Sequence, residues 1–489
     1  MADDLTLGID FGTSAVKVVA LARDGIVAAH ASRSYETFKP APDRAEQEPD
    51  DWWNALCEAT RQVMSGLDPV RVVAAGLSGQ LNGIVPVDGD GAVLGRSLIW
   101  LDQRCGQEVA ELQQVHAGAL AVASSPISPI AVLPKLRWLG RHEPDRIRRA
   151  KHIFQVKDYI LWRLTGAFAT DANEASATLL MDLGRRAWDE RLLKLAGVDA
   201  GRLCPIAPST RIAGKVTPSA ARQTGLPVGL GVAPGAGDTG ALGVGCGAYG
   251  TGTVAVTLGT AGHVVASAPN RPAGIARGMW RMAHVTDDRE LWLGLIPAGG
   301  LSIGWLRRLG AGLGGRAPGF DELDRLVESA PAGSAGVVFL PFLEGAGTPW
   351  NDPGRLAAFA GLNATHGAAH LARAVYEGVA FNIRACLERL EQEGVAPQRV
   401  HLAEGGAQSP VWRQIIADVL GREVGFVAER DTSATGAAML ARAAISGEDL
   451  ESVIAGSVRI ERVHKPDPVA HQAMQAAWVR FHRHADARP

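Results

Sequence analysis

The residues best suited to chemistry in this chain stand on turns crowded with glycine. Asp238 lies in Gly235-Ala236-Gly237-Asp238-Thr239-Gly240, where small neighbours expose a carboxylate. Such an acid can take the proton of a substrate hydroxyl attacking a γ-phosphoryl group; the plainer use of an aspartate there is an Asx turn. Asp10 closes an apolar run just before Gly12, Thr13 and Ser14. Small residues let backbone N–H groups and hydroxyls approach a phosphate, and a carboxylate beside them can hold hydrated magnesium. The second half repeats the pattern as Leu258-Gly259-Thr260-Ala261-Gly262, so two facing turns can clamp the β- and γ-phosphates of a nucleotide. A third cluster, Glu404-Gly405-Gly406-Ala407-Gln408, leaves room for a ribose or flat ring against the backbone. Gln80, Leu81 and Asn82 on one turn, with Trp100 and Asp102 shortly after, offer amides, a carboxylate and an indole. That mixture suits a polyhydroxylated molecule, whose hydroxyls need hydrogen bonds and whose C–H edges need an apolar face.

Several other chemistries are excluded by what is missing. There is no G-x-x-x-x-G-K-[ST] loop, and the strand-to-helix turn Glu404–Ser409 carries no G-x-G-x-x-G fingerprint. Asp88-Gly89-Asp90-Gly91 lacks the glutamate that closes a calcium loop and reads as a hairpin turn. His366 and His370 have i, i+4 spacing but no third ligand nearby, so a capped, packed helix is expected there. The five cysteines are scattered without C-x-x-C spacing and read as reduced packing residues.

Elements must hold these turns in place. Thr6–Ser14, Val16–Ala22 and Ile26–Ala31 read as three antiparallel strands, and Pro49-Asp50-Asp51 opens a helix with Trp52, Leu56, Ala59 and Val63 on one stripe. Strands follow at Val72–Leu77 and Ile84–Val87. The region from about Gly106 to Thr224 is helical and charged, and strands restart at Thr253 after a glycine-dense junction. The restart repeats strand, Gly/Thr turn, strand, which implies a duplicated fold with one turn from each half facing a shared cleft. Strand Arg399–Ala403 then leads through the third cluster to a helix over Val411–Leu420.

The 489 residues, 51.3 kDa, exceed one domain, and 47% hydrophobic with 20% charged residues permit sizeable cores. Lys plus Arg is 49 against 51 Asp plus Glu, a net charge of −2, which offers no field for nucleic acid or anionic lipid. Without a signal peptide pattern or a long apolar run, a cytoplasmic protein with neither nucleic-acid nor membrane partners is expected.

In order and spacing these segments resemble the FGGY carbohydrate kinases, and within that family the xylulokinases. The likeness rests on Gly8–Ser14, Gly79–Gly83, Trp100–Arg104, Gly237-Asp238, Leu258–Thr260, Phe339–Leu343 and the stretch Ala357–Glu377. The resemblance implies an α/β, duplicated actin-like (ribonuclease-H-like) fold, with an N-terminal domain over 1–245, a C-terminal domain over 246–489 and a central ATP and sugar cleft. It implies Asp238 as catalytic base and Gln80, Leu81, Asn82, Trp100, Asp102 and Thr239 around the sugar. ATP would meet Asp10, Gly12, Thr13, Ser14, Lys17, Gly259, Thr260, Gly405, Gly406 and Gln408, with Asp10 also at Mg2+. A homodimer is among the expected assemblies. The expected reaction is phosphorylation of a ketopentose, D-xylulose to D-xylulose 5-phosphate. Leu81-Asn82 stand where xylulokinases usually have Met-His, and Thr239 where Asn is common; these point to another pentulose or a polyol as the rival substrate. Ala261 and Glu404 replace the usual Ser and Gly, which motivates a second rival, a low-turnover nucleotide or sugar sensor.

Overall fold

The computed structural model describes residues 4–115, 117–250, 252–275 and 278–487. Strand β1 (Leu5–Phe11) runs through the middle of a sheet and is buried along its whole length, with Leu5, Leu7, Ile9 and Phe11 on one face and the small or polar Thr6, Gly8 and Asp10 on the other. It pairs antiparallel with β2 (Ala15–Leu21), and β2 with β3 (Val27–Ser34). Helix α1 (Pro49–Met64) starts with proline in its first turn and acidic Asp50 and Asp51 at its positive end; it buries Trp52, Leu56, Ala59 and Val63 over β2 and β3. Strand β4 (Val72–Gly79) adds parallel to β1, while β5 (Gly214–Lys215) and β6 (Gly231–Gly237) complete the order β5-β6-β4-β1-β2-β3. Between β4 and β5 lies the expected helical region, which includes α2 (Ala172–Ala177) and builds its own core around Leu112, Leu133, Leu136 and Leu192.

The second half repeats this plan. Its strands are β7 (Thr253–Leu258), β8 (Gly262–Pro269), β9 (Trp280–Ala283), β10 (Arg289–Ile296), β11 (Arg399–Ala403), β12 (Val424–Val427) and β13 (Ile460–His464). In the order β9-β10-β8-β7-β11-β12-β13, the last six keep the pairing senses of β3-β2-β1-β4-β6-β5: two antiparallel steps, two parallel, one antiparallel. Strand β9 is an addition at the edge. This is the duplicated actin-like architecture, in which each half supplies one hairpin and one parallel pair to the space between the sheets.

Two helices cross at the centre. Helix α3 (Asp238–Gly245) leaves β6, and its Leu242 joins a buried cluster with Val265 and Leu291 of the second sheet. The later helices α4 (Ala368–Gln392) and α5 (Pro410–Leu420) pack around the second sheet. Helix α6 (Thr432–Ser446) leaves β12 yet packs on β1 and β4 of the first sheet. A Cβ on Gly436 would lie 1.9 Å from the Ala241 carbonyl oxygen, and one on Gly245 2.0 Å from that of Thr432. Glycine at both places lets the helix backbones touch. The polypeptide divides near Gly245, but the packing interlocks across that point.

The Asp88–Ala92 turn is closed by Asp88 Oδ1, which accepts from the Asp90 and Ala92 N–H groups, so the Asp-rich loop is a hairpin turn. His366 stands outside α4, which begins at Ala368; His366 and His370 accept the Asn363 and Gly367 N–H groups as local caps. All five cysteines are buried free thiols. No helix among the described residues is long and apolar enough to cross a membrane.

Candidate active site

The C-terminal ends of the parallel strands in both halves open onto one cleft of about 170 Å³. Asp10, Gly12, Lys17 and Asp238 line it from the first half, and His263, Glu404 and Asp431 from the second. Asp238 is the first residue of α3, directly after β6. Its Oδ1 accepts from Thr239, the backbone N–H at 2.6 Å and the hydroxyl at 3.2 Å, leaving Oδ2 uncommitted among the described residues. Burial, and then the charge of Asp10, pushes its carboxyl up to about 7. The carboxyl is thus raised into the range where it can take up a proton near pH 7.

The first turn is braced from behind. Asp10 Oδ1 accepts from Ser78 Oγ at 2.8 Å, and burial raises its carboxyl above the usual range. Tyr35 donates to the Gly12 carbonyl, Gln47 Nε2 to that of Thr13 at 2.6 Å, and Trp100 Nε1 to Thr13 Oγ1 at 2.9 Å. Ser14 follows on the same turn, its carbonyl accepting from Tyr35 N–H at 3.1 Å. Lys17, the cross-strand partner of Asp10, reaches the other half: its Nζ lies 2.8 Å from Asp431. Burial works to lower the Lys17 ammonium, but the hydrogen bond and charge of Asp431 outweigh it and hold the group raised.

The second turn is braced differently. The Gly300 and Leu301 N–H groups donate to the Gly259 and Thr260 carbonyls at 2.7 and 3.0 Å, so the N-terminus of the helix Gly300–Gly314 carries this hairpin. Glu404 directly follows β11 in the left-handed region at φ 71°, and its carboxylate lies so close that a Cβ on Gly259 would stand 2.7 Å from Oε2. Burial pushes Glu404 up to about 7, with Lys17 opposing the shift and Asp10 adding to it. Gly405 is open on its Cβ side, leaving free space above the backbone. Gly406 has a packing reason instead: a Cβ there would meet Trp412 at 2.6 Å and Leu258 at 2.7 Å. Gln408 is half-buried in the short turn Gly406–Gln408 that leads into α5.

The expected sugar residues divide. Gln80 and Asn82 are buried on the turn after β4, and Gln80 Oε1 and Asn82 Oδ1 have no donor among the described residues. Leu81 packs on Gly237, directly beside Asp238. Thr239 is engaged with Asp238. Trp100 commits its indole N–H to Thr13, so only its ring face is left for a ligand. Asp102 needs correction as a sugar contact. It is fully buried, its oxygens taken by Arg104 Nε and Nη2 at 2.8 and 2.7 Å and by the Ala45 N–H at 2.8 Å. Burying an isolated carboxylate is costly, so it is paired, and it braces the turn from behind.

Three residues escaped the sequence reading. Lys135, fully buried, donates to the carbonyls of Asn82, Ile99 and Ile130 at 3.2, 2.7 and 2.8 Å, fixing the sugar turn; burial lowers its ammonium to about 7. Its only signal was a lysine on the apolar face of the helix Val132–His142. Glu404 was noted as a departure but not as a cleft residue. Asn173 sits beneath the Asp238 turn and carried no local signal at all. Among the described residues no group of three or more His, Cys, Asp or Glu side chains is arranged to hold a metal ion alone. A magnesium ion fits only as one shared with phosphate and water, Asp10 being the protein's contribution.

Comparison with known proteins agrees with this geometry. Residues 5–245 match the N-terminal domain, and 249–445 the C-terminal domain, of the FGGY family of carbohydrate kinases. The chain is 30% identical over 481 residues to a xylulose kinase of Escherichia coli (strain K12), covering 98% of each. It is 27% identical over 484 residues to a gluconokinase of Bacillus subtilis (strain 168), covering 96% of this chain and 93% of that one. The crystal structure of xylulose kinase from Rhodospirillum rubrum superposes with a TM-score of 0.90 at 32% identity, over 98% of each chain.

Proposed function

The chain belongs to the FGGY family of carbohydrate kinases, and from that premise we propose that it transfers the γ-phosphoryl group of ATP to the terminal O5 of a ketopentose, D-xylulose first. The observation that carries this reading is Asp238: a carboxylate with one uncommitted oxygen, on the floor of a cleft bordered by both halves. In the reaction Asp238 orients the substrate hydroxyl and accepts its proton late, as the bond to phosphorus forms. A carboxyl near 7 still lies far below an alcohol, so prior deprotonation is not available to it. The oxygen–phosphorus bond forms at the sugar, the γ-phosphorus–oxygen bond breaks, and ADP leaves with the electron pair.

The two turns, Asp10 to Ser14 and Gly259 to Thr260, are assigned to the phosphates, with Lys17 beside them and Gly405, Gly406 and Gln408 toward the nucleoside. Bound Mg2+ supplies charge neutralisation between phosphate oxygens, with Asp10 as its protein partner. Gln80 Oε1 and Asn82 Oδ1 are buried acceptors without donors, and hydroxyl groups supply donors. Ribulose or a four- or five-carbon polyol is the second reading, favoured by Asn82 and Thr239 at the sugar positions. A panel of D-xylulose, ribulose, polyols and gluconate, followed by coupled ADP detection, tests the assignment. The highest kcat/KM is expected for D-xylulose; preference for a polyol selects the second reading, and turnover of gluconate alone overturns both.

A further inference from the structure

Resting on that reading and deepening it, we propose that Asn173 is a positioning residue for Asp238, tying the base-bearing turn to the edge of the second sheet. Asn173 is the second residue of α2 and is fully buried. Its Nδ2 donates to the carbonyl of Ala283 at 2.8 Å. Ala283 ends β9, the outermost strand of the second sheet, which has no further strand on its free side. The Ala283 N–H donates to Ser176 Oγ at 3.0 Å, and that hydroxyl donates to the Asn173 carbonyl at 2.8 Å. Two residues earlier Ser125 does likewise, accepting from the Arg281 N–H at 3.1 Å and donating to its carbonyl at 2.5 Å. Side chains from the first half thus complete an open sheet edge of the second.

Of these three, Asn173 alone continues to the catalytic turn. A Cβ on Gly240 would lie 2.5 Å from Asn173 Oδ1, and one on Gly237 3.1 Å. These glycines flank Asp238 on both sides, so the amide sits directly against the backbone that aims the carboxylate. Asn173 Oδ1 has no donor among the described residues, and it meets the turn through van der Waals and Cα–H contacts. The support beneath is stiff: Asp171 caps α2 through the Asn173 and Glu174 N–H groups at 2.8 and 3.1 Å, and Lys157 Nζ holds Asp171 at 2.7 Å. A shift of β9 relative to the first half therefore reaches Asp238 through one side chain. Displacement of a catalytic group by about 1 Å is enough to lower turnover on the order of 10²-fold.

The test compares Asn173→Ala with Ser125→Ala, which cuts the same edge without reaching Asp238. Steady-state kinetics should show kcat reduced roughly 10–100-fold in Asn173→Ala, with KM for ATP moved less than about two-fold, and Ser125→Ala near wild type. Hydrogen exchange of residues 236–245, measured without substrate, should accelerate in Asn173→Ala and not in Ser125→Ala. Ser176→Ala, which removes the prop but keeps the amide, should show the same signs at smaller size and serves if Asn173→Ala does not fold. Equal losses at 125 and 173, or unchanged kcat and exchange in folded Asn173→Ala, overturn the proposal. Wild-type protein that forms no ADP with any substrate of the panel sinks the kinase reading instead, and exchange at 236–245 still decides the positioning role.

Discussion

Asp238 and Asp431 occupy the same station in the two halves. Each is followed by a threonine at the start of a central helix that leaves the outer parallel strand, and the two helices cross with their backbones in contact. Each also shares the cleft with a residue of the opposite half's hairpin. Asp431 meets Lys17, the cross-strand partner of Asp10, at 2.8 Å. Asp238 shares the cleft with His263, the cross-strand partner of Thr257, and burial lowers that imidazole to about 4, so it is neutral near pH 7. One copy of the motif is neutralised by an ammonium; the other shares its cleft with an uncharged ring and has no second-oxygen partner among the described residues. Duplication supplies the position twice, and on the proposed reading the surroundings decide which aspartate acts as base.

The largest expected effect breaks the comparison outright. Asp238→Asn should lower kcat by about 10²–10⁴ with the melting profile kept, whereas Asp431→Asn should cost less than about ten-fold, as measured by ADP release. Equal losses in the two variants would show that the twins are not functionally distinct. Removing the cation comes next: Lys17→Met should raise KM for ATP roughly 10–100-fold, the scale of a lost charged hydrogen bond, and an unchanged KM would place Lys17 outside nucleotide binding.

A pH profile sharpens the contrast. Asp238 must be ionised to accept a proton and its carboxyl is raised to about 7, so kcat/KM should fall as pH drops through 7. His263→Lys, which gives Asp238 the kind of partner Asp431 has, should move that limb to lower pH by on the order of one unit. A limb that stays in place would mean that His263 does not set the charge around the base. The smallest effect concerns the ground beneath Asp238. Glu174 is fully buried, neither oxygen has a hydrogen-bond partner among the described residues, and burial raises its carboxyl well above the usual range. A raised acid contributes stability that is full below its unfolded pKa and is lost as pH rises toward the folded one. Glu174→Gln should therefore raise Tm by ~2 °C at pH 8, with a smaller gain at pH 5, by calorimetry.

Much of the fold was readable along the chain because its signals are local. The apolar run of β1, the proline and acidic start of α1, and the paired Gly/Thr hairpins each depend on a few consecutive residues, and their repetition exposed the duplication. Asp238 stood out because glycines surround it. Asp102 misled because an exposed-looking carboxylate on a turn cannot be told from a buried one without knowing that Arg104 and Ala45 enclose it. Trp100 likewise gave no hint that its N–H faces Thr13.

The sequence by itself determined the element types, the doubled plan and the aspartate proposed as base, since hydrophobic period and turn chemistry act over a few residues. Tertiary structure alone decided which aspartate meets a cation, where Glu404 points, and that Asn173 lies under the Asp238 turn. Those outcomes depend on groups from 65 residues (Asn173 and Asp238) to 414 residues (Lys17 and Asp431) apart being brought together in space, and electrostatics and packing depend on that distance, which spacing along the chain does not encode.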